Sequence, residues 1–207
     1  MGVDQYFSDS SPVAEGEARH LTITARGHSF SVSVSGKVFS STRLDLGTRQ
    51  LLAEAPALPA QGTFLDLGCG WGPIALAMAA ESPAAQVWAV DVNSRAVDLT
   101  QRNATANGYG EAIYACDAQS ALAKARSEDL RFDVIWSNPP VRIGKEAMHE
   151  MLTSWLSLLA PNGFAYFVVQ RNLGADSLIS WLNAQGFPAQ KIASKKGYRI
   201  IEVGAQR

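Results

Sequence analysis

The chain has 207 residues, 47% of them hydrophobic and 18% charged, enough for one domain with a substantial core. A net charge of −1 excludes a protein that grips nucleic acid over its whole surface and leaves only local basic patches as candidates. The opening MGVDQYFSDSSP is polar and acidic, with neither the basic flank nor the apolar stretch of a signal peptide. No segment approaches a membrane span, so no membrane partner is expected and cytoplasm is the expected compartment. Gly2 does not mark acylation, because Tyr6 stands where that motif takes Ser or Thr. Cys69 and Cys116 lack C-x-x-C spacing and no His/Cys cluster accompanies them, so both read as small reduced residues and no metal is expected.

Residues 1–11 read as a loose tail. The alternation in LTITARGHSFSVSVSG, broken at Arg26-Gly27-His28, predicts two half-exposed strands joined by a short turn and laid over the main fold. KVFSSTRLDLGTRQLL then passes from loop into a helix expected to start near Thr48. From Phe64 onward strands and helices alternate, the pattern of a parallel sheet with right-handed crossovers. Strands are expected near 63–67, 86–91, 111–116, 132–137, 163–169, 187–193 and 197–203, and helices near 74–81, 94–107, 119–126, 146–159 and 175–185. Only Ser194 to Lys196 separate the last two strands, too few residues for a crossover, so that pair must be antiparallel. The expected fold is therefore α/β: a Rossmann-like, seven-stranded, mostly parallel sheet with an antiparallel last strand, helices on both faces and a small N-terminal β-hairpin. Residues 1–45 form the tail and hairpin extension, and 46–207 the main domain.

Within this frame FLDLGCGWGP, Phe64 to Pro73, reads as a buried strand that ends in an acid and a glycine-rich turn. Gly68, Gly70 and Gly72 let the backbone turn tightly and approach a ligand, and Pro73 suits the first position of a helix whose free N–H groups face that ligand. A dinucleotide fingerprint would place its third glycine where Pro73 stands. The spacing here is D-x-G-x-G-x-G instead, and Asp66, two residues before the first glycine, suits a ligand that carries an ammonium group. A bland αβ turn is the plain alternative.

QVWAVD ends in Asp91 one crossover later, at the carboxyl edge where such sheets bind ligands. A carboxylate there can accept from both hydroxyls of a ribose, or it can cap the helix that starts at Ser94. AIYAC leads to Asp117, suited to accept from an adenine amino group, although Asp commonly ends strands. FDVIWS runs into Asn138-Pro139-Pro140, where two prolines remove two donors and leave nearby carbonyls without local N–H partners. An amine or amide nitrogen that donates to the Asn138 oxygen and the Pro139 carbonyl would have its lone pair aimed at a sulfonium methyl. A simple loop break is the alternative.

With DLGCGWG, Asp91, Asp117 and NPP in this order, residues 37–203 resemble the amino-methylating class I S-adenosylmethionine (SAM)-dependent methyltransferases. KVFSSTRLDLGT and SNPPVRIGK are similar to the small methyltransferase-domain family, which includes the ribosomal RNA guanine-amine methyltransferases. The resemblance implies SAM as cofactor, held at its methionine part by Asp66, the Gly68–Cys69–Gly70 backbone and Thr48. It implies that Asp91 with Val92 takes the ribose, Asp117 with Ala118 the adenine, and that Asn138 and Pro139 position the target nitrogen. Ribosomal RNA is the implied partner; Pro140, Val141 and Arg142 are expected substrate contacts, and Phe39 or Tyr198 is the expected platform for a base that Val141 cannot stack on. The RNA enzymes usually carry an aromatic residue after NPP to stack on the flipped base, where this chain has Val141, and they often carry a duplicated N-terminal domain. Lys145, Lys191, Lys195, Lys196 and Arg199 are the basic residues available for RNA. A protein-glutamine methyltransferase, a small-molecule methyltransferase with a pocket lined by Phe39, Trp71 and Tyr198, and a SAM-binding subunit without catalysis are the rival functions.

Overall fold

A computed structural model describes residues 17–36, 38, 43–140 and 143–206. The hairpin is β1 (Ala18–Ala25) and β2 (His28–Ser35), followed by α1 (Leu46–Glu54), β3 (Gln61–Leu67), α2 (Pro73–Glu81), β4 (Ala84–Asp91) and α3 (Ser94–Ala106). Then come β5 (Ile113–Asp117), α4 (Ala118–Ser127), β6 (Phe132–Ser137), α5 (Lys145–Leu156), β7 (Leu159–Gln170), a 3-10 turn (Arg171–Leu173), α6 (Ala175–Ala184), β8 (Ala189–Lys195) and β9 (Tyr198–Gly204). β3 to β9 form one seven-stranded sheet in the order β5-β4-β3-β6-β7-β9-β8. β9 enters between β7 and β8 and runs antiparallel to both, which for the β8–β9 pair is what the short connection requires.

Period-two alternation divides the core into two layers. Phe64, Val134 and Trp136 pack with α1, α2, α3 and the hairpin on one face. Leu65, Leu67 and Ile135 pack with α4, α5 and α6 on the other. Asp66 shares the parity of Phe64, which directs it toward α2 rather than into the second layer. The first eight residues of α2 are all buried, which explains why this helix has no polar stripe.

Two sets of bonds tie the hairpin to the elements around the glycine turn. Asn103 on α3 and Asn107 at its C-terminal cap, one turn apart, extend the edge of β2 as a strand would. Ser33 and Ser31 each donate their N–H to one of these amides and accept from the same amide. Asn103 also donates to Trp71 O at 2.8 Å, which joins the hairpin, α3 and the glycine turn in one network. At the β1–β2 turn Arg26 adopts φ +49°, ahead of Gly27 at +82°. Its guanidinium donates to Leu52 O (2.9 Å) and Ala55 O (3.1 Å) at the end of α1 and pairs with Glu81 at the end of α2. The hydrogen bond from Arg26, against the opposing effect of burial and with help from Leu58 N–H and the Arg26 charge, holds the Glu81 carboxyl below its ordinary range.

Several boundaries depart from expectation by two to four residues, and three of them have a local reason. α1 begins at Leu46 rather than near Thr48, because Asp45 caps it. β7 begins at Leu159, before the expected 163, and contains a register irregularity between Leu159, opposite Phe132, and Phe164, opposite Val134. Gly163 sits there, and a Cβ on it would fall 2.7 Å from Phe132 O. β8 begins at Ala189 rather than 187, while Phe187 drops into the core.

Candidate active site

Strand order reverses at β3, which lies between β4 and β6, so their carboxyl ends open a crevice there. Beyond β3 the chain turns through Gly68, Gly70 and Gly72 at φ +81°, +59° and +92°. Gly68 N–H and Cys69 N–H both donate to Val90 O, at 2.8 and 3.0 Å. Gly70 N–H donates to Asp91 Oδ2 at 3.0 Å, and Thr100 Oγ1 supports Gly70 O from α3 at 3.0 Å. A Cβ at Gly68 or Gly70 would meet nothing within 4 Å, so the outer side of the loop opens on free space. At Gly72 it would come within 3.0 Å of Thr100, and this glycine lets α2 pack against α3.

Beneath the loop lies Asp66, with none of its surface exposed. Its Oδ2 accepts from Ala75 N–H, in the first turn of α2, at 3.0 Å, while Oδ1 has no partner among the described residues. Burial pushes its carboxyl up to about 8, against the opposing pull of the Ala75 bond and with a further push from Asp91. An orphaned buried carboxylate oxygen under an open backbone loop fits a ligand ammonium, which would satisfy the lone pairs and restore the charge. Asp91 links β4 to this loop: Oδ2 takes the Gly70 bond and Oδ1 accepts from Asn93 N–H at 2.9 Å. Burial raises its carboxyl as well. Asn93, not Asp91, caps α3 through Arg95 N–H, so the capping alternative for Asp91 does not hold. Asp117 stands level with Asp91 on the neighbouring strand, and its Oδ1 caps α4 through Ser120 N–H at 2.9 Å. Val92, beside Asp91, is 57% exposed, a large apolar side chain left open at the crevice mouth. Ala118 opens α4 next to Asp117 and is half-buried. Cys69 lends its backbone to the loop, while its thiol turns inward against Thr100 Oγ1 at 3.4 Å and burial pushes it well up.

The far side of the crevice is built from side chains. β6 ends at Ser137, whose hydroxyl donates to Leu67 O at 2.6 Å and locks the two strand ends together. Next, Asn138 Nδ2 donates to Asp45 Oδ2 at 2.9 Å and to Thr48 Oγ1 at 3.1 Å. A carboxylate only accepts, so these partners fix which end of the amide is nitrogen. Both amide hydrogens are used, and among the described residues nothing donates to Asn138 Oδ1 or to the Pro139 carbonyl. Pro140 O accepts from Ile143 N–H at 3.1 Å. Tyr198, first residue of β9, lies beside Gly47: a Cβ on that glycine would be 3.0 Å from Tyr198 Cε1.

Asp66, Gly68, Cys69, Gly70, Asp91, Asn138, Pro139, Thr48 and Tyr198 thus converge on one crevice, with Val92, Asp117 and Ala118 along its β4–β5 side. Phe39, Val141 and Arg142 lie outside the described residues. Of the basic residues, Lys195 is held by Glu54 at 2.8 Å, and Arg199 is paired with Asp176 on α6, on the other face from Tyr198. Asp45 and Gly47 are site residues that the motif reading passes over. An Asp three residues before Thr48, at the head of a helix, is the signal that would have found Asp45.

Comparison with known proteins shows the family. The family model for the methyltransferase small domain matches residues 29–202. The Bacillus subtilis (strain 168) uncharacterized protein YbxB is 32% identical over 200 residues, covering 96% of this chain and 97% of that one. Ribosomal RNA small subunit methyltransferase C of Aeromonas hydrophila is 35% identical over 120 residues, 58% of this chain, and the match spans only 33% of that enzyme. Among solved structures, a 16S rRNA N2 methyltransferase (RsmC) from T. thermophilus, in complex with AdoMet and guanosine, superposes with a TM-score of 0.77 at 22% identity, over 94% of this chain and 52% of that one. The matched span and the nearly full-length relative establish that the chain belongs to the methyltransferase small domain family of SAM-dependent methyltransferases.

Proposed function

We propose that this protein transfers a methyl group from SAM to the exocyclic amine of a guanine in small-subunit ribosomal RNA. The observation that carries the reading is the orientation of Asn138: both amide hydrogens are bound internally, and among the described residues neither Oδ1 nor the carbonyl of the next residue, Pro139, receives a donor. Two acceptors at a strand end suit the two hydrogens of an –NH2 group, which leaves the nitrogen lone pair to point across the crevice. The curated relatives named as small-subunit RNA methyltransferases support the choice of RNA, although the chain spans about a third of their length.

When bound, SAM supplies an electrophilic methyl on its sulfonium. The orphaned Asp66 Oδ1 would hold the methionine ammonium, the open faces of Gly68 and Gly70 its backbone-like portion, and the Thr48 hydroxyl its carboxylate. Asp91 retains lone pairs for a ribose beyond its backbone bonds, exposed Val92 offers an apolar face to a base, and Asp117 with Ala118 borders that base. On the acceptor side Asn138 and Pro139 hold the amine, and Tyr198 provides the stacking surface that Val141 cannot. Neither Asn138 nor Pro139 is a base, so the nitrogen sheds its extra proton to water after the methyl has moved. The catalytic gain lies in alignment.

Asn138→Ala tests this directly on small-subunit ribosomal RNA from cells lacking the gene, with tritium from labelled SAM as the readout. Transfer is expected to fall at least about 10²-fold, as misplacement of a reacting group costs, while calorimetry shows SAM affinity within about threefold of wild type. Full transfer by the variant would remove Asn138 from the chemistry.

A further inference from the structure

Asn138 is oriented by a residue 93 positions away in the chain. We propose that Asp45 is the positioning residue of this site: from the head of α1 its carboxylate fixes the Asn138 amide so that Oδ1 faces the incoming amine. The proposal rests on the role given to Asn138 above.

One oxygen performs both tasks. Asp45 Oδ2 accepts from Thr48 N–H at 3.0 Å, which caps α1, and from Asn138 Nδ2 at 2.9 Å. The capping bond holds the carboxylate still, and the carboxylate in turn excludes the flipped amide, because two oxygens would then face each other. Thr48, itself in the capped turn, takes the second amide hydrogen. Without this hold the amide would turn about its last side-chain torsion, which is broad in asparagine. Donation to an ionised acceptor also draws the amide toward its dipolar form and makes Oδ1 a stronger acceptor.

Gly47 gives an independent observation. Glycine is a poor residue inside a helix, yet a Cβ here would stand 3.0 Å from Asp45 Oδ2, 3.0 Å from Tyr198 Cε1 and 3.3 Å from Asn138 Nδ2. The missing side chain leaves the room in which those three groups meet. Burial, then the Asp45 charge, pushes the Tyr198 hydroxyl up, consistent with a ring beside that carboxylate.

Asp45→Ser keeps a good helix cap but is too short to reach Asn138, whereas Asp45→Asn keeps an oxygen able to accept both bonds. With unmethylated small-subunit ribosomal RNA as acceptor, Asp45→Ser should lower kcat about 10²-fold with the KM for SAM within about threefold. Asp45→Asn should restore kcat to within about tenfold of wild type, and Asp45→Ser should add nothing in an Asn138→Ala background, since both changes remove one interaction. Gly47→Ala should lose kcat while its Tm holds or rises. Equal kcat for Asp45→Ser and Asp45→Asn, or additive losses in the double variant, would overturn the proposal. NMR supplies an arm independent of the acceptor. The Asn138 side-chain amide pair, assigned by its absence in Asn138→Ala, should exchange slowly with solvent in wild type and Asp45→Asn and rapidly in Asp45→Ser. Equal exchange in all three means that Asp45 does not hold the amide. Full activity of Asn138→Ala would instead sink the role of Asn138 and leave the NMR result to decide the hold.

Discussion

The two sides of the crevice are built by different means. On the cofactor side the groups are mostly backbone and nearly contiguous: Asp66 to Ala75 supply the acid, the glycine loop and the head of α2, and Asp91 closes the set from the adjacent strand. On the acceptor side the groups are mainly side chains from three separate places, Asp45, Asn138 and Tyr198, and Thr48, proposed above to serve the cofactor side as well, bonds to Asn138 from the turn that Asp45 caps. These bonds join residues 93 and 90 apart in the chain. The first side inherits the rigidity of the sheet. The second depends on each hydrogen bond between its parts. Changes on the first side should therefore act on affinity for SAM, and changes on the second on the rate of transfer.

Asp91→Ala should give the largest effect and the sharpest test of that division. It removes the acceptor for Gly70 N–H and Asn93 N–H and so frees the glycine loop as well as the proposed ribose contact. Hydrogen bonds to a charged group contribute about 1.5–3 kcal/mol each, so the Kd for SAM should rise by at least about 10²-fold. At saturating SAM, kcat should stay within a few-fold of wild type. A lost kcat with an unchanged Kd would break the comparison.

Asp66 gives the cofactor side a pH signature of its own. Burial keeps its folded carboxyl protonated up to about 8, whereas the unfolded carboxyl ionises near 3.8. The folded state therefore binds the extra proton between those values. That contribution to stability is full below the unfolded value, declines as pH rises through the window and is gone above the folded value. Asp66→Asn removes the titration, so ligand-free Asp66→Asn should melt above wild type at pH 8, by about 2–4 °C for each kcal/mol relieved. The rise in Tm that SAM gives the wild type should vanish in the variant. A wild-type stability that is flat from pH 5 to 8 when compared with the variant would show that Asp66 is solvated rather than buried.

The same contrast explains what could be read in the sequence. β3, the glycine loop and β6 were legible because short runs determine them: an apolar strand, glycines at alternating positions, two prolines after a strand. The antiparallel end of the sheet followed from one loop length. Asp45 was not legible as a partner of Asn138, because no local pattern reports a hydrogen bond between residues 93 apart. What local pattern offered was the helix start, and the expected boundary near Thr48 set aside the Asp that caps it. Charge was misleading in the same way. Lys195, Lys196 and Arg199 are close in sequence, but successive strand residues face opposite ways, and two of the three already have carboxylate partners.

That partnering makes the smallest expected effect the most specific one for RNA. Lys196 occupies the β8–β9 turn at φ +50°, before Gly197, and has no carboxylate partner among the described residues. The turn stands at the carboxyl edge of the parallel strands, since Gly197 O accepts from Arg171 N–H at 2.8 Å and Tyr198 pairs with Gln170 at the end of β7. A free lysine there can reach a phosphate without giving up an internal bond, whereas Lys195 must first leave Glu54 and Arg199 lies on the α6 face. Lys196→Glu should therefore weaken small-subunit ribosomal RNA by a few-fold and reduce the slope of log affinity against log salt by about 1, the loss of one phosphate contact. Arg199→Ala should leave that slope unchanged and lower Tm instead. Filter binding over a salt series, with calorimetry of SAM as the control, measures both. A slope unchanged by Lys196→Glu would take the β8–β9 turn out of the RNA interface and leave Tyr198 as the acceptor contact from that edge.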